Sequence, residues 1–210
     1  MTILKYKNVL IIDSKIGNIG SLKRAISKIG YNYTVSNKFE KNLDISHIIL
    51  PGVGSFDNGI KILKQNDLIH KIIYAVQEKG IPILGICLGM QLFASKGFEN
   101  NQITDGLNLI PGIVKKLETD SNLKLPHLGW NEVDQDSENK LFKNIPNKKD
   151  FYFVHNYFFE PNKKNHIIGK TIYGSTFASA LNKSNIYGVQ FHPEKSLNYG
   201  LQLLDNFINT

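Results

Sequence analysis

The chain of 210 residues carries a single sulfhydryl, Cys87, at the centre of Gly85-Ile86-Cys87-Leu88-Gly89. The apolar run before it, from Pro82, predicts a strand. The flanking glycines predict a tight strand-to-helix turn, the cysteine counterpart of the Gly-x-Ser-x-Gly nucleophile elbow. Such a turn holds the nucleophile in a strained backbone conformation and leaves little room for bulk beside it. A helix starting there would aim free N–H groups and a positive dipole end at the sulfur, favouring thiolate over thiol. The same residues also describe a small buried hydrophobe in a core strand, the commoner fate of a free cysteine. Read alone, the turn leaves both accounts open.

A second chemistry-bearing segment lies near the C-terminus: Gly188-Val189-Gln190-Phe191-His192-Pro193-Glu194-Lys195-Ser196. An extended stretch runs into His-Pro-Glu, and the proline ends ladder pairing there. In extended geometry residues two apart share a face, so His192 and Glu194 are expected to point the same way. A cysteine nucleophile needs a base, and the base needs an orienting carboxylate. These residues supply both types, although spacing says nothing of whether they meet Cys87. The third segment, Ile48-Ile49-Leu50-Pro51-Gly52-Val53-Gly54, ends a hydrophobic strand in a Gly-x-Gly loop. Such a loop presents backbone N–H groups to an oxyanion, and it is also how ordinary turns are written. Phosphate cradling is a further use of glycine loops, but the fuller phosphate-binding spacings are absent.

With these segments in hand, the chain resembles the class I glutamine amidotransferases that use a Cys-His-Glu triad. Further stretches, Pro126-His127-Leu128-Gly129-Trp130-Asn131 and Tyr152-Phe153-Val154-His155-Asn156-Tyr157, narrow the likeness to the glutaminase subunits of imidazole glycerol phosphate synthases. The resemblance spans nearly the whole chain. It implies a three-layer α/β fold, an open, mostly parallel, flavodoxin-like sheet with an antiparallel extension. It also implies roles: Cys87 as nucleophile, His192 as acid and base, Glu194 as orienting carboxylate, and Gly52, Val53 and Leu88 as the oxyanion region. Gln91, Glu99, Asn156 and Tyr157 match positions that hold glutamine. Asn18, Trp130, Tyr152 and Lys195 match positions at the partner interface.

The implied substrate is L-glutamine and the implied partner a (β/α)₈-barrel cyclase subunit, forming a heterodimer. Neither a cofactor nor a metal is implied. Two departures from the family pattern stand out: Ser14-Lys15 in place of Tyr-Gly, and Asn156 in place of Ser or Thr. The first lies near the partner-facing loop. A paralogous glutaminase supplying ammonia to a sugar-modifying enzyme therefore stands as the alternative.

The length suits one well-buried core, so residues 1–210 read as a single domain. One cysteine excludes an intramolecular disulfide and fits a reducing cytoplasm. The start, Met1 to Ile12, is too short an apolar run for a signal-peptide core or a membrane span. The formal charge of +7 permits nucleic-acid binding. The lysines are scattered rather than interleaved with aromatics, which reads as solvated surface and no nucleic-acid partner.

Periodicity predicts strands at 9–12, 33–35 and 48–50 alternating with a helix at 19–29 and a helical region at 60–79, broken near Asn66-Asp67. Such alternation implies a parallel sheet covered on both faces, with the site beyond the C-terminal strand ends. From residue 113 the texture changes to shorter strands at 113–117, 131–133, 151–154 and 167–173, read as an antiparallel extension of the same domain. A closing helix is predicted at 201–208.

Overall fold

The computed structural model describes residues 7–13, 19–38, 44–119 and 123–210. Five strands form the parallel half of a nine-stranded sheet: β1 (Asn8–Ile12), β2 (Asn32–Ser36), β3 (His47–Gly52), β4 (Ile83–Cys87) and β13 (Ile186–Val189). Their order is β2-β1-β3-β4-β13, all neighbours parallel. The sheet continues antiparallel through β12 (Ser175–Lys183), β11 (Ile167–Tyr173), β8 (His127–Gln135) and β9 (Lys149–His155).

Both faces of the parallel half are covered because its central strands, β1, β3 and β4, carry apolar residues on both sides. Along β1, Val9 and Ile11 join one core cluster and Leu10 and Ile12 the other. The first cluster is completed by Leu22 and Ile26 of α1 (Ile19–Lys28) and by Leu203, Leu204 and Phe207 of α5 (Leu197–Ile208). The second is completed by Phe56, Ile60 and Leu63 of α2 (Phe56–Gln65) and Ile72 of α3 (Ile69–Ile73). Strand alternation thus sends every other side chain into a different helix layer, giving the three-layer arrangement. The helical region breaks at Asn66-Asp67 as expected, with Asp67 at φ 53°, and ends in a π-helical turn, Tyr74–Glu78.

The antiparallel part departs from expectation in one respect. Beside the main sheet lies a separate four-stranded sheet, ordered β10 (Tyr157–Pro161), β7 (Gly112–Lys116), β5 (Lys96–Glu99) and β6 (Gln102–Asp105). The predicted strand near 113–117 belongs here and not to the main sheet. Its hairpin β5–β6 has no apolar run to announce it: only Gly97 of its eight strand residues is buried. Its turn is Asn100-Asn101, with φ 51° and 60°, the left-handed pair that a two-residue type I′ hairpin requires. The closing helix also starts earlier than its apolar pattern suggests, at Leu197, because its first turn is held by Pro193 and Ser196 rather than by apolar packing: Ser196 N–H bonds Pro193 O and Gly200 N–H bonds Ser196 O, both at 3.0 Å.

No helix among the described residues is long and apolar enough to cross a membrane.

Candidate active site

Strand β4 ends at Cys87, which takes φ 55° and ψ −112° and heads the single helical turn α4 (Leu88–Gln91). The helix expected after the elbow is only this short, so few aligned peptide dipoles stand behind the sulfur. The two flanking glycines are required sterically. A Cβ on Gly89 would come within 1.8 Å of the Leu50 carbonyl oxygen, and one on Gly85 within 2.6 Å of the Met90 nitrogen. The elbow therefore sits against β3 with no space for a methyl group on either side.

Parallel register supplies the neighbours. Gly52 pairs with Cys87 at the ends of β3 and β4, and Val189 pairs with Ile86 on the other flank. The Gly-x-Gly loop and the His-Pro-Glu segment consequently emerge on either side of the cysteine. A cavity of about 360 Å³ opens above it, lined by Cys87 and Leu88, Val53 and Gly54, Gln91, Glu99, Pro126 and Val154 to Tyr157. That volume lies in the range of small-molecule sites, about 300–1,000 Å³. Of the residues singled out in the sequence, Val53, Cys87, Leu88, Gln91, Glu99, Asn156 and Tyr157 share this cavity. Gly52 is buried beneath it, where an added Cβ would touch Leu88 Cβ at 3.0 Å.

His192 lies behind the sulfur, 3% exposed. Its Nδ1 bonds Glu194 Oε1 at 2.9 Å. This pairing arises differently from the extended geometry expected: β13 stops at Val189, and Glu194 sits in a 3₁₀ turn, Pro193–Lys195, that folds it back onto the imidazole. The backbone around His192 is clamped, its N–H donating to Tyr152 O at 2.8 Å and its carbonyl accepting from Ser196 Oγ at 2.6 Å. Burial by itself pushes the His192 pKa down. The charge and hydrogen bonding of Cys87 and Glu194 outweigh it and raise the pKa to about 10. The imidazole is therefore protonated at neutral pH, with its Nε2 buried and free of any other regular hydrogen bond.

Glu99 is fixed by the first turn of α2, accepting from the Phe56 N–H at 2.7 Å. Gln91 donates from Nε2 to Tyr157 O at 2.8 Å and to Gln190 Oε1 at 3.0 Å. With both N–H groups engaged, Gln91 offers the cavity only its oxygen, an acceptor. Two polar residues that motif reading left without a role also belong here. His155 donates from Nδ1 to Tyr157 O at 2.9 Å, and its Nε2 meets His127 Nδ1 at 2.9 Å. Since Nδ1 of His155 carries a proton, Nε2 is the acceptor and His127 the donor. Burial pushes both down, His127 to about 4 and His155 to about 3, with each other's charge adding for His155. Gln190 reaches the sulfur itself, Nε2 to Cys87 Sγ at 3.6 Å. Both residues were visible inside quoted motifs, but only contact geometry marks them.

Trp130, Tyr152 and Lys195 gather in one patch. Trp130 is half exposed and meets Tyr152 edge to face at 6.0 Å, while Lys195 Nζ lies 5.4 Å from the Tyr152 ring centre. Asn18 lies outside the described residues. Among the described residues, no group of three or more His, Cys, Asp or Glu side chains is placed to hold a metal ion.

A cysteine elbow on a doubly covered parallel sheet, opening into a small cavity, defines a class of protein, and the sequence pattern agrees. The chain belongs to the family Glutamine amidotransferase class-I, which matches residues 10–210. Within that family it is similar to imidazole glycerol phosphate synthase subunit HisH 1 of Campylobacter jejuni, at 45% identity over 202 residues, covering 95% of this chain and 98% of that protein. It is also similar to imidazole glycerol phosphate synthase subunit HisH of Moorella thermoacetica, at 42% identity over 199 residues, covering 95% and 93%. Among solved structures, PurLQS from Thermotoga maritima aligns with a TM-score of 0.74 at 15% identity, covering 97% of this chain and 98% of that one. A glutamine amidotransferase from the same organism aligns with a TM-score of 0.68 at 20% identity, covering 97% and 83%. At these identities the structural likeness speaks to the fold.

Proposed function

We propose that this chain is the glutaminase subunit of an imidazole glycerol phosphate synthase, acting on L-glutamine through Cys87, His192 and Glu194. The observation that carries the reading is Cys87 on its strained elbow, facing the cavity with the His192–Glu194 pair behind it. Near-full-length likeness to imidazole glycerol phosphate synthase subunits supports the choice of pathway.

Cys87 reacts as the thiolate beside a protonated His192, whose pKa Cys87 and Glu194 raise. Glutamine binds with its α-ammonium toward the Glu99 carboxylate and the Gln91 oxygen, and its side-chain amide over Cys87. The sulfur attacks the amide carbon. Backbone N–H groups of Val53 and Leu88 hold the oxyanion, one such donor being worth roughly 3 kcal/mol in the transition state. His192 gives its proton to the departing nitrogen, releasing ammonia and leaving a glutamyl thioester. The neutral imidazole then takes a proton from water, whose oxygen attacks the thioester and frees glutamate and the thiolate. Glu194 keeps the imidazole oriented through Nδ1.

The ammonia passes to a (β/α)₈-barrel cyclase docked on the face carrying Trp130, Tyr152 and Lys195. The cyclase converts a phosphoribulosyl-aminoimidazole carboxamide nucleotide into imidazole glycerol phosphate and aminoimidazole carboxamide ribotide. Uncoupled hydrolysis would waste glutamine, so the free subunit is expected to be nearly inactive, with a peptide flip at Gly52-Val53 completing the oxyanion site in the complex.

The test is glutamate release from glutamine by the chain alone, then with a histidine-pathway cyclase and its nucleotide. Strong stimulation is expected. Activity that ignores this partner would move the assignment to the sugar-modifying alternative. Cys87→Ala should abolish glutamine-dependent product formation while ammonia-dependent formation by the cyclase continues.

A further inference from the structure

Two side-chain amides and one backbone carbonyl link the cavity wall to the sulfur. The Tyr157 carbonyl only accepts, so the Gln91 amide must turn its NH₂ group toward it. The second N–H of that group then meets Gln190 Oε1, which forces the Gln190 NH₂ to the opposite side. There it lies 3.6 Å from Cys87 Sγ. Reversing Gln91 would set its oxygen against the Tyr157 and Gln190 oxygens, and reversing Gln190 would set two NH₂ groups against each other. Gln190 is wholly buried, 0% exposed, and its backbone N–H is tied to Ser179 O at 2.9 Å, so the side chain has little freedom to leave.

His192 faces the sulfur from one side and hydrogen-bonds it. A further contact is the Val154 carbonyl oxygen, at 3.8 Å, which suits a thiol and repels a thiolate, so a second donor is needed to offset it. We propose that Gln190 is a positioning residue for the nucleophile: its locked amide donates an N–H to the Cys87 sulfur, favours the thiolate and holds it toward the cavity against the pull of the Val154 carbonyl. This rests on Cys87 being the nucleophile and adds the group that aims it. The titratable groups facing the sulfur are His192, backed by Glu194 on the segment after β13, and His155 and Glu99 on the cavity wall from β9 and β5.

Because the chain has one cysteine, iodoacetamide alkylation of the full protein reads this sulfur alone. Gln190→Leu removes the donor. The midpoint of its alkylation rate against pH should move up by about one unit, lowering the rate on the acidic limb about tenfold. With the cyclase present, kcat for glutamine should fall about tenfold while KM stays within about twofold. Should that variant fail to fold, Gln190→Glu carries the test, since it keeps the shape and the acceptor for Gln91 yet sets an oxygen against the sulfur. Its midpoint must move up at least as far. A midpoint equal to the wild type's in either folded variant overturns the proposal. Glutamine hydrolysis surviving in Cys87→Ala would overturn the nucleophile assignment instead, so the two failures are told apart.

Discussion

Cys87 occupies a backbone conformation that costs an L-residue roughly 1–3 kcal/mol, and it persists because the surrounding contacts leave no alternative. The same over-determination extends to His192, the proposed base. Glu194 bonds His192 from a position only 6% exposed, so its charge acts on the imidazole with little screening. Glu194→Gln preserves the shape and the possibility of a hydrogen bond but deletes the charge. The His192 pKa, which Cys87 and Glu194 together raise to about 10, should fall, and kcat should drop by about 10³–10⁴. Histidine NMR titration of the full chain checks the first expectation, and glutamate release in the complex the second. An unmoved His192 titration would show that Cys87 alone sustains the raised value.

At the scale of elements, the site depends on how closely α4 and the ends of β3 and β4 approach one another. Gly89→Ala would drive a Cβ into the Leu50 carbonyl oxygen, a backbone contact with no flexible end to yield. It should destabilise the protein by about 2–4 kcal/mol and lower glutaminase activity at least a hundredfold, because the elbow must leave β3. Asn206 provides the contrast. From α5 its Nδ2 donates to Leu141 O at 3.0 Å and Lys143 O at 2.7 Å, tying the closing helix to the loop before β9. Asn206→Leu strands two carbonyls and should cost about 2 kcal/mol with glutaminase activity per folded molecule unchanged. Urea unfolding beside glutamate release separates the two cases. Equal loss of activity in both variants would mean that the elbow's packing has no special part in the chemistry.

Across the whole molecule, three buried histidines are held neutral. His47 is pushed down to about 4 by burial with the Lys7 charge adding, and His127 and His155 to about 4 and 3. In the unfolded chain each returns to about 6.5. Above that pH both states are neutral there and the three contribute nothing. As pH falls below 6.5 the unfolded chain binds protons that the folded one refuses, and stability drops by up to about 1.4 kcal/mol per pH unit for each histidine until the folded values are reached. Urea midpoints should therefore fall from pH 7 to pH 5. His47→Leu should flatten that fall by about a third, since His47 lines no part of the cavity and packs edge-on to Phe207. Identical midpoints at the two pH values would contradict this account.

Apolar periodicity by itself determined the strand–helix alternation, the two-sided burial of β1, β3 and β4, and the break at Asn66-Asp67, because side-chain spacing within one element is a local property. It also singled out Cys87, His192 and Glu194, since glycine, proline and residue type constrain turns wherever they occur. The polar hairpin β5–β6 was hidden, its stability coming from the Asn100-Asn101 turn and the strand beside it rather than from its own apolar residues. Only the tertiary structure decided that these residues meet. Gln190 and Cys87 stand 103 positions apart, and the fold joins them because β4 runs parallel between β3 and β13 in a register that pairs Val189 with Ile86. Likewise the orientation of Gln190 depends on Gln91 and on the Tyr157 carbonyl, three groups from three segments. A spacing along the chain says which face a residue takes; which strand it lies beside is settled by packing between distant elements.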